Sequence, residues 1–109
     1  FKVMQIDATR VAGPQEIVLE YLLANKFGVR VCPHAGGVGL CEAVRHFAMS
    51  DYLAVSGQWD DRVIEYVDNQ HEYFVHPTEI VNGRYKAPTA PGSGVDMKLE
   101  AAERCLYKG

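Results

Sequence analysis

The stretch Val31-Cys32-Pro33-His34-Ala35-Gly36-Gly37-Val38-Gly39-Leu40-Cys41-Glu42 carries a histidine off the end of a short apolar strand into a glycine loop that opens a helix. In α/β proteins the strand ends and the loops after them face a common crevice, so chemically active side chains collect there. Upstream, Lys2-Val3-Met4-Gln5-Ile6-Asp7-Ala8 ends another apolar strand on an aspartate, 27 residues before His34. That separation matches one strand, a crossover helix and the next parallel strand. Neighbouring strands lie roughly 4.8 Å apart, so Asp7 and His34 are expected at equivalent ends, within reach of a side-chain hydrogen bond. An ionised Asp7 would fix the imidazole tautomer and favour its protonated form, which makes His34 a candidate general acid/base.

Working outward, strand and helix patterns alternate, as in a parallel sheet with crossover helices. The first strand is read over Lys2 to Ile6. Gly13-Pro14 opens a helix with Ile17, Val18, Tyr21, Leu22 and Ala24 on one face, and Gly28 closes it. The second strand, Val29 to Cys32, leads through the glycine loop into a helix with Leu40, Ala43, Val44 and Phe47 at helical spacing, ended by Ser50-Asp51. A third strand is expected over Leu53 to Gly57, and a third helix with Val63, Ile64, Val67, His71 and Phe74 on one side. From Pro77 the rhythm breaks into a short strand near Glu79 to Val81, then Arg84-Tyr85, then a Pro/Gly-rich loop from Ala87 to Gly94. A last helix pattern, Met97 to Leu106, has Leu99, Ala102 and Leu106 along one face. Residues 1–76 therefore read as strand–helix units and residues 77–109 as a tail.

With 109 residues, 48% of them hydrophobic, the sequence has the composition of one globular domain. A net charge of −3 without a basic cluster argues against a nucleic-acid partner, and no apolar run has the length of a membrane span. Small molecules are the better expectation. Cys32, Cys41 and Cys105 are odd in number and irregularly spaced, which fits reduced thiols in the cytoplasm or an organelle matrix. A zinc set of Cys32, His34 and Cys41 lacks a paired CxxC and a fourth ligand. The chain does not begin with methionine and its first residue stands at the start of a strand pattern, as in a piece of a longer chain.

The glycines at 36, 37 and 39 permit close backbone approach, so the loop either holds an anion at the helix N-terminus or is a tight turn; it matches neither nucleotide-binding fingerprint. Spacing alone makes Glu65 a solvated helix glutamate beside Arg62, and gives His46, His71 and His76 no partner pattern.

The segments Gln5-Ile6-Asp7-Ala8-Thr9-Arg10-Val11, Pro33 to Glu42, Arg62-Val63-Ile64-Glu65-Tyr66-Val67-Asp68 and Pro91-Gly92-Ser93-Gly94 together resemble the enolase superfamily, in its mandelate racemase group and, within that, the L-fuconate dehydratases. The resemblance implies an α/β fold, the C-terminal portion of a (β/α)7β TIM-like barrel. The chain would hold its last three strands with their helices, and its tail would reach toward a separate capping domain. It implies His34 as the catalytic histidine, Asp7 as its partner and Glu65 as a substrate-contacting residue. It also implies a small acid-sugar substrate, an essential Mg²⁺ and a homo-oligomer at full length. The metal-ligand carboxylates and a catalytic lysine would lie on earlier strands, so these residues alone are expected to be inactive. The first loop, Ala12-Gly13-Pro14-Gln15-Glu16, departs from the Gly-Gly and Asn-rich versions of the group. Racemisation or another acid-sugar dehydration is the alternative within the group; a non-catalytic anion-binding module, or a pseudo-enzyme, is the alternative outside it.

Overall fold

The computed structural model describes residues 1–109. Strand β1, Val3–Ile6, and strand β2, Arg30–Pro33, pair in parallel with Val3 opposite Arg30 and Ile6 opposite Pro33. Between them runs helix α1, Pro14–Lys26, which begins at a proline whose missing N–H costs nothing there. Its chain turns back at Gly28, where φ is +65°. Ile17, Tyr21 and Ala24 of α1 are buried with Ile6 and Val31, and this cluster cements the helix to the outer face of the strand pair. Val18, Leu19, Leu22 and Leu23, a second apolar stripe on the same helix, stay exposed.

Helix α2, Leu40–Ser50, follows β2 through the glycine loop, with Gly39 in the left-handed region at φ +72°. The α-helix ends at Ser50-Asp51 as expected, but the third strand at Leu53 to Gly57 is corrected. The helix continues as a wider π-helical turn over Asp51–Ser56, closed by Gly57 at φ +63°. Two contacts hold that turn in place: Arg62 meets the Asp51 carboxylate at 3.3 Å, and the Ser56 hydroxyl donates to the Asp51 carbonyl. A short apolar run such as Leu53-Ala54-Val55 reads equally as strand or helix, and continuity with α2 decides it.

The third helix is corrected too. Residues 62–69 form no helix but run beside β2, where the Glu65 N–H donates to the Pro33 carbonyl at 3.1 Å. Ile64 and Val67 of this segment, with Tyr85, pack on a second cluster made of Ala35, Leu40, Cys41 and Val44. Only a single 3-10 turn follows, His71–Tyr73. The tail adds a hairpin of β3, Ile80–Val81, and β4, Arg84–Tyr85, turned by Asn82 and Gly83, both at positive φ as the twist of a two-residue hairpin requires. It ends with helix α3, Leu99–Arg104, shorter than the Met97 to Leu106 expected; α3 buries Ala101 and leaves Leu99 exposed, as Leu106 beyond it is. The Val75 N–H donates to Asp96 and the Lys98 N–H to Tyr73, which folds the tail back on the 3-10 turn. No helix is long and apolar enough to cross a membrane.

Candidate active site

Because side chains alternate across a strand, Ile6 and Val31 face α1, while Gln5, Asp7, Cys32 and His34 lie on the opposite face. The register of β1 and β2 continues past both strands, since the His34 N–H donates to the Ile6 carbonyl at 2.8 Å. Asp7 and His34 therefore leave adjacent strand ends side by side. Residues 62–69, running beside β2, bring Glu65 to the same face.

The three side chains meet around the imidazole. Asp7 Oδ2 stands 4.0 Å from His34 Nε2, an ion-pair separation longer than a hydrogen bond. Glu65 Oε2 is 2.5 Å from His34 Nδ1 and accepts the Ala35 N–H at 2.7 Å, so one oxygen both orients the ring and fastens the loop after it. Gln5 Nε2 reaches the same oxygen at 3.5 Å. The structure thus overturns the reading of Glu65 as a helix glutamate beside Arg62, which turns instead to Asp51 and Gln58.

Asp7 is held by its own turn. Its Oδ1 accepts the Thr9 N–H at 2.9 Å and the Thr9 hydroxyl at 2.7 Å, and its Oδ2 takes Arg10 Nε at 2.9 Å. These bonds keep its carboxyl below the usual carboxylate range: those from Thr9 act first, and Arg10 and the neighbouring His34 add to them. Asp7 is an anion at neutral pH. Cys32, on the same face, has its thiol pushed up by burial and by Glu65, so it is a neutral wall rather than a nucleophile. Thr9, Arg10 and Gln5 belong to a segment that carries the resemblance but have no role assigned by spacing; they join the site because the turn and the register bring them there.

Gly36 is needed for space. A Cβ there would stand 2.5 Å from His34 Cε1 and 3.0 Å from Nε2. Ordinary contact would require the ring to retreat by about 1 Å. Gly36→Ala is therefore expected to displace the His34 imidazole while leaving the melting temperature nearly unchanged, Gly36 itself being exposed. Histidine side-chain NMR reads the displacement; His34 signals identical to wild type would show that the loop has room to spare.

No group of three or more His, Cys, Asp or Glu side chains in these residues is placed to hold a metal ion, so none of the site's chemistry is derived through one.

Known proteins share this arrangement of segments. The sequence profile described as enolase C-terminal domain-like matches residues 1–102. The chain belongs to that family. It is 48% identical over 98 residues to mitochondrial enolase superfamily member 1 of Xenopus laevis, which covers 90% of this chain and 22% of that protein. It is 44% identical over 107 residues to L-galactonate dehydratase of Hypocrea jecorina, covering 98% of this chain and 23% of that protein. The crystal structure of human mitochondrial enolase superfamily member 1 superposes with a TM-score of 0.92 at 43% identity, over 97% of this chain and 24% of that one. The fold is accordingly the C-terminal portion of a TIM-barrel enzyme. The chain spans under a quarter of the length of these relatives.

Proposed function

We propose that these residues form the His34 side of the active site in an acid-sugar dehydratase. The full-length protein takes a proton from the carbon next to a carboxylate and eliminates the 3-hydroxyl as water. The observation that carries this reading is the convergence of Asp7, His34 and Glu65 at the ends of three neighbouring segments. A histidine that meets two carboxylates and is one-third exposed can hold a proton and deliver it to a leaving hydroxyl. His34 is the acid for that departure. Glu65 and Asp7 stabilise its imidazolium, and Glu65 lies where it can also contact the substrate. The base that removes the C2 proton lies outside these residues. So do the carboxylates that would hold Mg²⁺, which when bound neutralises charge growing on the substrate carboxylate. After the hydroxyl has left as water, the enol tautomerises to a 2-keto-3-deoxy acid, and atoms balance.

L-fuconate is the substrate we favour. A specific observation keeps L-galactonate beside it, the 44% identity to a protein named for dehydrating that acid. L-fuconate is L-galactonate without the C6 hydroxyl, so a site working at C2 and C3 meets the same stereochemistry in both. Residues beyond these 109 would decide at C6. The uncovered stripe of α1, Val18, Leu19, Leu22 and Leu23, suits burial against further helices of a barrel. We place the whole protein in the cytoplasm or an organelle matrix, as a homo-oligomer that binds neither nucleic acid nor membrane. In the division we favour, residues 1–76 belong to the barrel and 77–109 to a tail directed toward a capping domain.

The test is to incubate the full-length protein and Mg²⁺ with L-fuconate, L-galactonate and other six-carbon acid sugars, and to follow 2-keto-3-deoxy product as its semicarbazone. Turnover of L-fuconate, with L-galactonate slower or equal, is expected. Scrambling of C2 configuration without loss of water would make the protein a racemase instead.

A further inference from the structure

The most deeply buried charge pair of the molecule lies outside the site. Glu42, in the first turn of α2, is 1% exposed, and its Oε1 accepts from His71 Nδ1 at 2.8 Å and from the Thr78 N–H at 3.0 Å. The other ring nitrogen of His71, Nε2, faces the Val67 carbonyl at 2.8 Å. A carboxylate and a peptide carbonyl can only accept, so both ring nitrogens must carry protons, and the ring is an imidazolium. It stacks parallel to Tyr66, with centroids 5.4 Å apart and planes 5° apart, an arrangement that favours a cation. Cys41 Sγ of α2 lies 3.9 Å from the same carbonyl and 3.6 Å from that of Ala35, so its one proton is shared between the Glu65 segment and the loop after β2. Two residues earlier the Glu65 carbonyl accepts the Tyr85 hydroxyl of β4. The segment that carries Glu65 is thus pinned on both sides of its exit from the site.

We propose that His71 is a positioning residue: its imidazolium, bridging Glu42 and the Val67 carbonyl, locks residues 62–69 against α2 and so holds Glu65 against His34. This extends the reading of Asp7, His34 and Glu65 as an active site, on which its functional consequence rests. The charged groups around the ring favour the bridge. Glu42 comes from α2 and Asp68 from the ring's own segment, both acidic; Cys41 of α2 also faces this cluster, and the phenols of Tyr66 and Tyr85 are pushed up, chiefly by burial, and stay neutral at pH 7. Arg45, one turn along α2, spends its guanidinium on the carbonyls of Glu42 and His76. Burial works against the His71 charge. The bonds to Glu42 and Val67, with the field of Glu42 and Asp68, outweigh it and carry the group above its ordinary 6.5. Since the fold raises this value, the stabilisation it supplies is fully present below about 6.5 and fades as pH climbs through the raised value. The lock opens on the alkaline side.

The experiment is a histidine side-chain nitrogen NMR titration of the full-length protein. Two protonated nitrogens on His71 at pH 7, a midpoint above 6.5, and His34 signals that move with that same midpoint are expected. In Glu42→Gln the His71 midpoint should fall and the coupled movement of His34 should leave its wild-type position. A His71 ring with one proton at pH 7, or a His34 that ignores the titration of His71, overturns the proposal, and the wild-type titration decides even if the variant does not fold. None of these readouts needs turnover, so a protein that dehydrates no acid sugar yet shows the coupled titration keeps the lock and loses only the dehydratase reading.

Discussion

His34→Asn in the full-length protein is expected to cut dehydration of L-fuconate by on the order of 10²- to 10⁴-fold, the usual worth of a positioned acid, with folding and substrate binding kept. Asparagine can still hydrogen-bond to the groups around it, but it has no proton to give at neutral pH. The backbone bond that seats this position, from the residue 34 N–H to Ile6, does not depend on the side chain. The replaced ring is only partly buried, so no closed cavity opens. If the C2 proton is taken by a base elsewhere in the protein, its exchange with deuterated solvent should continue in this variant after elimination has stopped. The measurement is kcat for product formation beside the rate of deuterium entry at C2. Wild-type dehydration would leave His34 as a packed strand-end histidine.

The part of the site that lies on β1 and β2 was legible because local punctuation and long-range order agree there. Pro14 and Gly28 bracket α1 within a residue of where the sequence puts them, and the spacing from Asp7 to His34 is set by that one strand–helix unit. Beyond α2 the same reasoning fails for an identifiable reason. Val63, Ile64, Val67, His71 and Phe74 fall by accident at helical spacing, and the pattern outweighed the more telling cue, a β-branched and aromatic run from Val63 to Val67. Gly57 was the overlooked stop: as the left-handed residue just past a helix it belongs to α2 and its π-helical extension, not to a strand end. Once that boundary moves, Glu65 shifts from a solvated helix face to the side of β2. Its place in the site therefore came from family resemblance and from the tertiary structure, not from spacing. His71 gave no signal at all, because its partner lies 29 residues away on another element and neither residue belongs to a motif.

Paired substitutions that remove one negative charge at nearly constant shape ask which carboxylate governs the imidazole, and the geometry orders their effects. Asp7→Asn and Glu65→Gln are both expected to lower turnover, since an amide cannot stabilise a neighbouring imidazolium as a carboxylate does. Asp7 acts across 4.0 Å, and its oxygens are already shared with Thr9 and Arg10, so its removal weakens the field at His34 without freeing the ring. Glu65 acts in contact, at 2.5 Å, and also anchors the Ala35 N–H, so Gln at that position loosens the ring and the loop behind it together. The loss should be about tenfold or more for Asp7→Asn and greater for Glu65→Gln, toward 10³-fold. Values of kcat for wild type and both variants decide the order. An unchanged rate in Asp7→Asn would remove Asp7 from the mechanism. A loss larger in Asp7→Asn than in Glu65→Gln would mean that in the working enzyme the imidazole turns to Asp7 as its orienting partner and leaves Glu65 to the substrate.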